Sequence, residues 1–262
     1  MLDIGQIRVC EGFVMIKLLL LATVMTAVVA PASSAVIMTY EAPGFTNTTQ
    51  TGTFAVDTFD ALPAGTPITP SNGFSGTSFT QTIDGVSFGY AGVSIKNDQY
   101  GNGTNYAAVY NGVYGGTNNN SAGYTLNVAR TTGTDPLNYF GLFVSAADDS
   151  NTFTFYNGTT KIGVFNLADL RAQIGVADQG AFFANFNFTN GDTYTKVVFS
   201  QPVACCGFES DNHTVGTFVS PPVPGTGIAL PVPEAATWAM MVFGFGMAGS
   251  AVRRRRQAPV RA

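Results

Sequence analysis

The chain has 262 residues, a formal net charge of −4 and only 11% charged residues, against 45% hydrophobic ones that include 21 Phe and 10 Tyr. So much apolar and aromatic surface can close a core, which excludes disorder, and so few cations cannot neutralise many phosphates, which excludes a nucleic-acid partner. The length fits one domain of moderate size, or two. Charge is unevenly placed. Between Val36 and Pro231 stand only five cations (Lys96, Arg130, Lys161, Arg171 and Lys196) and thirteen carboxylates, so this body is near −8, while Arg253, Arg254, Arg255, Arg256 and Arg261 gather at the far end.

In chain order, the first feature is an address. Lys17 precedes an apolar run, Leu18 to Val29, followed by Pro31-Ala32-Ser33-Ser34-Ala35. A cationic start, an apolar centre and small residues at the end describe a secretory signal peptide, with Ser33 and Ala35 in the small-residue positions before the cut. The run is too short to span a bilayer comfortably, which favours a cleaved signal over an anchor. Residues 1–35 are therefore expected to be the signal peptide, with Met15 as its start, because Asp3, Cys10 and Glu11 fit poorly ahead of such a signal.

Residues 36–219 read as an all-β body. Residues 60–82 and 97–123 are rich in Gly, Asn, Ser and Thr and read as loop, with Gly115-Gly116 and Asn118-Asn119-Asn120 marking a long one. Period-two alternation then sets in: Tyr124, Leu126 and Val128; Phe140, Leu142 and Val144; Phe153 and Phe155 against Thr152 and Thr154; Ile162 and Val164; Phe182, Ala184, Phe186 and Phe188; Val197 and Phe199. Such runs mark half-buried strands. Asn157-Gly158 and Asn190-Gly191 read as hairpin turns. One short helix is expected, capped by Asn166, with Leu167, Leu170 and Ile174 on one face and Gly175 as its stop. The fold class predicted is an antiparallel β-sandwich of the jelly-roll kind.

Ser220-Pro221-Pro222-Val223-Pro224-Gly225 opens a stiff linker over 220–232. Beyond it, Ala235 to Val252 is an uncharged apolar stretch with Trp238 near its start. As a helix, its eighteen residues would extend about 27 Å, close to the hydrocarbon thickness of a bilayer. Arg253 to Arg256 follow at once, and clustered arginine stays cytoplasmic, so the body is expected outside and the tail 257–262 inside.

The order Pro233-Glu234, Trp238-Ala239-Met240, Gly244-Phe245-Gly246 and the four arginines resembles the PEP-CTERM sorting tail, in the subtype with Trp-Ala-Met after the Pro-Glu motif. The resemblance covers about thirty residues, 233–256 at its heart, and Ala235 stands where the family has its second proline. It implies an exosortase that cuts near Pro233-Glu234, a setting in a Gram-negative bacterium that makes exopolysaccharide, and a precursor held transiently in the inner membrane. Signal peptidase and the secretion translocon would be its earlier partners. In the body, Asn138 to Leu142, Asn151 to Gly158 and Phe208 to Asn212 resemble exosortase-dependent surface proteins with a jelly-roll body.

Sites for chemistry are sparse. The single histidine, His213, lies two residues from Asp211, a spacing that a strand would put on one face. A Ser-His-Asp arrangement needs the rest of its geometry, and an exposed or hydrogen-bonded histidine is the plainer expectation. No GxSxG, phosphate loop or HExxH motif occurs. Glu41, Asp60, Glu209 and Asp211 could supply a carboxylate pair for glycoside cleavage. Calcium is the metal these residues suit: Glu41 or Asp60 near the first strand with Asp211 and Asn212 near the last, or the loop Asp148-Asp149-Ser150-Asn151. The alternative at each place is an ordinary polar turn. Cys205-Cys206 could be two free thiols, a strained vicinal disulfide or intermolecular links. Tyr90, Tyr100, Tyr106, Tyr110, Tyr114 and Tyr124 could offer faces to sugars, or could be core.

The reading that results is a secreted, exosortase-processed cell-surface or matrix protein, not an enzyme, with structural or adhesive work in exopolysaccharide or biofilm. Its alternatives are a carbohydrate-binding module with a calcium site and a secreted glycan hydrolase.

Overall fold

A computed structural model describes residues 36–41, 44–69, 76–97, 104–114, 117–120, 123–146, 148–175, 180–203 and 207–219. The signal segment, Cys205-Cys206, the linker and the whole tail lie outside the described residues.

Among the described residues there are fourteen strands: β1 (Val36–Tyr40), β2 (Gly52–Asp57), β3 (Ile68–Thr69), β4 (Thr77–Ile83), β5 (Val86–Asn97), β6 (Asn105–Tyr114), β7 (Thr117–Asn120), β8 (Gly123–Arg130), β9 (Tyr139–Ala146), β10 (Thr152–Asn157), β11 (Thr160–Asn166), β12 (Phe182–Phe188), β13 (Lys196–Ser200) and β14 (Gly207–Phe218). All pairings are antiparallel except β3 with β5. One layer runs β1-β12-β9-β14, and the far side of β14 is shared between β6 and β2. The other runs β4-β5-β8-β13-β10-β11. The layers join because β5 pairs with β8 through its first half and with β6 through its second. Gly92, at φ 80, sits at that change of partner. The predicted sandwich is thus present.

Its core is aromatic. Phe140 on β9 meets Phe199 on β13 edge to face at 6.1 Å, and Phe186 on β12 meets Phe153 and Phe155 on β10 at 5.4 and 4.9 Å. These contacts cross between layers, and all five rings are fully buried. Each ring removes well over 100 Å² from water, so this cluster dominates the stability.

The expected inward sets around β8, β9, β10 and β13 are the buried ones. β11 differs. A bulge opposite Phe155 and Tyr156 shifts its register, so Val164 points outward at 48% exposure and Phe165 takes the core position instead. β12 is buried on both faces, Phe183, Asn185 and Asn187 included. The regions read as loop contain β4, β6 and β7. Their Thr, Ala, Asn and Gly residues give little apolar signal, and pairing with neighbours holds them. The Asp84-Gly85 turn, both residues at positive φ, closes the β4–β5 hairpin.

At β10–β11 the turn is Gly158-Thr159, with Asn157 still paired to Thr160, one residue later than expected. Asn190 and Gly191 do turn, at φ 61 and 83, but they join β12 to β13 in opposite layers, so no hairpin forms there. Helix α1 (Leu167–Ile174) is as predicted. Asn166 caps it by accepting from Ala168 N–H at 2.7 Å, Gly175 ends it at φ 70, and Leu167 and Leu170 enter the core.

Candidate functional site

The strand β14 holds Glu209, Asp211, Asn212 and His213, and a bulge decides where they point. Its register slips between Asp211 and Thr214, and Asn212 adopts φ 50. The extra residue keeps Ser210 and His213 on the core side and puts Asp211 on the other. Asp211 and His213 therefore do not share a face, which corrects the expectation of a regular strand.

His213 is completely buried. Its ring stacks on Phe199 at 5.3 Å and meets Phe59 edge to face at 5.0 Å. Nδ1 lies 3.0 Å from the Tyr90 hydroxyl and Nε2 2.9 Å from Ser210 Oγ, which in turn lies 2.9 Å from the Tyr124 hydroxyl. Tyr90 also bonds the Asp57 carboxylate, which accepts from Phe59 N–H at 2.9 Å and from Gln81. One direction of donation satisfies every member. Tyr124 donates to Ser210, Ser210 to His213 Nε2, His213 Nδ1–H to Tyr90, and Tyr90 to Asp57. Burial pulls the His213 pKa down to about 3, so the ring is neutral. Burial also raises Asp57 and Tyr124. Ser210 and His213 thus have the spacing of a nucleophile and its base, but neither has a surface that a substrate can touch. The chain is a structural one that ties β2, β5, β8 and β14 together.

The four calcium candidates separate into two groups. Glu41 is a clamp: Oε1 accepts from Thr49 N–H at 2.9 Å, Asn185 Nδ2 at 3.0 Å and Thr48 Oγ1 at 3.3 Å, and Oε2 accepts from Thr49 Oγ1 at 2.6 Å. Asn212 holds the same loop through Nδ2 to Thr46 O at 2.8 Å. Together they fasten residues 44–51 over the outer side of β12, which explains why that strand is buried twice. Asp60 instead accepts from Asn105 N–H at 2.8 Å. Asp211 caps Asn212 N–H, and burial together with the charges of Asp60 and Asp57 raises its pKa to about 7. Among the described residues no three His, Cys, Asp or Glu side chains are grouped to hold a metal ion.

The loop at 148–151 is a polar turn. Asn151, fully buried, accepts from Asp148 N–H and donates to Gln201 Oε1 and Gly207 O, while Asp149 pairs with Arg171. Of the tyrosines considered for sugars, Tyr90, Tyr106 and Tyr124 are buried and offer no face to a glycan. The side chains of Tyr110 and Tyr114, and all of Tyr100, lie outside the described residues. Sequence reasoning missed Lys96, a buried lysine whose pKa burial lowers to about 8 while Glu209 acts to raise it. The alternation Val93, Ile95 against Ser94, Lys96 was its only signal.

Among the described residues no helix is long and apolar enough to cross a membrane, and the stretch 235–252 lies outside them. Ser33, Ala35, Pro233, Glu234, Trp238, Ala239, Met240 and Arg253 to Arg256 lie outside them too. There the comparison with known families speaks. The family model described as the PEP-CTERM protein-sorting motif matches residues 231–256. The chain carries a PEP-CTERM sorting motif. It spans Pro233, Glu234, Trp238, Ala239, Met240 and Arg253 to Arg256 and starts two residues before Pro233. The PEP-CTERM motif marks an exported protein that depends on exosortase and the secretion machinery and is tethered transiently at the membrane. No curated protein and no solved structure matches the chain.

Proposed function

We propose that the PEP-CTERM motif delivers a non-catalytic sandwich to the cell surface or extracellular matrix, where it does structural or adhesive work in exopolysaccharide or biofilm. The observation that carries this is the motif at 231–256 placed behind a body with an aromatic-rich core. Two features of the body support the absence of catalysis. The Ser210–His213 pair is sealed from solvent, and the Glu41 carboxylate is engaged by three of its own side chains and a backbone N–H.

The test follows the protein in an exopolysaccharide-producing host and then purifies the mature form. Fractionation is expected to find it in the matrix, with a mass that lacks the residues beyond the cut near Pro233-Glu234, and Glu234→Lys to leave a larger, membrane-held precursor. A glycan array and a hydrolysis screen on the mature protein are expected to show neither one selected glycan nor turnover. Tight binding to a single glycan would replace this reading with a carbohydrate-binding module, and turnover would replace it with a hydrolase.

A further inference from the structure

The two layers differ in what lies outside them. The loop 44–51 covers the outer side of β12, held there by Glu41 and Asn212. The outer side of the other layer, β4-β5-β8-β13-β10-β11, is bare: Ser78, Ala91 and Val164 are exposed, and Thr125, Thr154 and Val198 are half-buried. These six residues form one row. The registers set Ser78 beside Ala91, Ala91 beside Thr125, Thr125 beside Val198, Val198 beside Thr154 and Thr154 beside Val164, one residue per strand. The β11 bulge completes the row by turning Val164 outward. None of the six side chains reaches past its γ atoms, so the strip is flat, with methyls and hydroxyls repeating about every 4.8 Å.

Charge singles out the same face. The body is near −8, so two copies repel wherever their carboxylates meet. The outward positions of these six strands hold no carboxylate. Their charges are Lys161 and Lys196, and Lys196 lies along the face, 4.2 Å over the Tyr156 ring. The exposed Asp84, in the β4–β5 turn, stands at the opposite lateral edge from Lys161 and toward the same end of the strands. Six strands span about 24 Å and five residues along a strand roughly 17 Å, so a face-to-face pair buries on the order of 1,000 Å² in total, the small end of specific association.

We infer that this bare face is the surface by which two copies of the protein associate, sheet on sheet, about a two-fold axis parallel to the strands and midway between β8 and β13. Such a contact uses one patch on both copies, and stacked sheets sit about 10 Å apart with strand directions within ~30°. Rotation about that axis brings Thr125 of one copy over Val198 of the other, Ala91 over Thr154 and Ser78 over Val164. At the flanks a short side chain thus meets a β-branched one. The same rotation carries the Lys161 corner of each copy toward the Asp84 corner of the other, so opposite charges approach twice in each pair. Lys196 leans away from the axis onto Tyr156, which keeps its two copies apart. Neither the sorting motif nor its cut enters this contact.

The experiment expresses the full-length chain in an exopolysaccharide-producing host and applies a short bis-maleimide to cysteine variants. Cross-linked peptides are identified by mass, which separates them from Cys10, Cys205 and Cys206. Thr125→Cys, next to the axis, is expected to link to itself in a second copy. Thr80→Cys, exposed on β4 at the lateral edge, is expected to link not to itself but to a co-expressed Lys161→Cys chain. Sedimentation equilibrium of the protein purified from that host is expected to show a dimer with Kd on the order of micromolar. Thr125→Glu, which sets two carboxylates beside the axis, is expected to weaken it at least tenfold. Asn47→Glu, the same charge on the exposed 44–51 loop, is expected to leave it unchanged. The cysteine pairs decide the question even where Thr125→Glu fails to fold. A monomer at every concentration, with no Thr125→Cys cross-link, would overturn the pairing. Thr80→Cys linking to itself as readily as Thr125→Cys would overturn the two-fold arrangement. A monomer whose retention on exopolysaccharide falls in Thr125→Glu would assign the face to the polymer and overturn the pairing as well.

Discussion

Two groups on β14, the buried His213 and the half-buried Asp211, titrate in opposite senses, and their opposition has a measurable signature. His213 is held neutral, with its pKa moved from 6.5 to about 3, so it contributes stability that is present above pH 6.5 and lost as pH falls toward 3. Asp211 is moved from 3.8 to about 7, so its contribution is present below pH 3.8 and lost as pH rises through 7. Between about pH 4 and 6.5 the unfolded chain carries one proton on the histidine and the folded chain carries one on the aspartate, so the two slopes cancel. Asp57 is also raised by burial and acts in the same sense as Asp211. Substitution should unmask each partner. In Asp211→Asn, the slope of unfolding free energy against pH should become more positive than in the parent, by up to about 1.4 kcal/mol per pH unit across that window. In His213→Phe it should become more negative by a similar amount. Urea titrations at half-unit pH steps read both, and parallel profiles for parent and Asp211→Asn would contradict the assigned proton. His213→Phe should in addition lose about 2–4 kcal/mol at pH 7, since the Tyr90 and Ser210 hydroxyls both lose a partner.

At the scale of elements, the sandwich depends on one strand that serves both layers. β5 changes partner from β8 to β6 around Gly92, whose φ of 80 belongs to the region that L side chains avoid. Space is not the issue there, because an added Cβ would meet nothing closer than Gly123 O at 3.6 Å. Gly92→Ala should therefore cost about 1–2 kcal/mol from backbone conformation alone. Gly89→Ala, on the same strand with equally open surroundings and an ordinary φ, should cost less than about 0.5 kcal/mol. Chemical denaturation of the pair checks this, and equal losses would mean that the bend is not where the strain lies. The sequence showed Gly92 only as a glycine among alternating residues, and nothing in its neighbours announced a change of layer. What was legible were the strands with strong alternation, β8 to β10 and β13, and the capped helix. Each of these carries its whole signal within eight residues. What was not legible depends on residues far away in the chain. β6 is a strand because Ala107, Ala108 and Val109 are pinned between β5 and β14, and β12 is buried twice because Glu41 and Asn212 fasten a loop across it. The same holds for the site: the lone histidine could be found by counting, but the bulge at Asn212 that turns it inward could not.

At the scale of the whole molecule, charge and processing combine to limit how the mature protein can hold on to its surroundings. With the proposed cut near Pro233-Glu234, the arginines of the PEP-CTERM motif would be left behind and the released body would be near −8. Its five cations are poorly placed for a polyanion. Lys96 and Arg171 are buried. Arg130 donates to Asp135 O and Thr217 Oγ1, and Lys196 sits 4.2 Å above the Tyr156 ring. A body of this charge is repelled at long range by an acidic polysaccharide, and that repulsion is screened by salt over roughly 10 Å at 0.1 M. Retention in such a matrix must then come from short-range contacts, from trapping or from a covalent link. Raising sodium chloride from 0.05 to 0.5 M, on the order of a threefold drop in screening length, is accordingly expected to leave the fraction retained on an acidic exopolysaccharide unchanged or higher. The measurement is co-sedimentation of the mature protein with the polymer across that range. Release by salt would instead require a cluster of accessible cations, and of the five only Lys161 is exposed, with Arg130 and Lys196 half-buried.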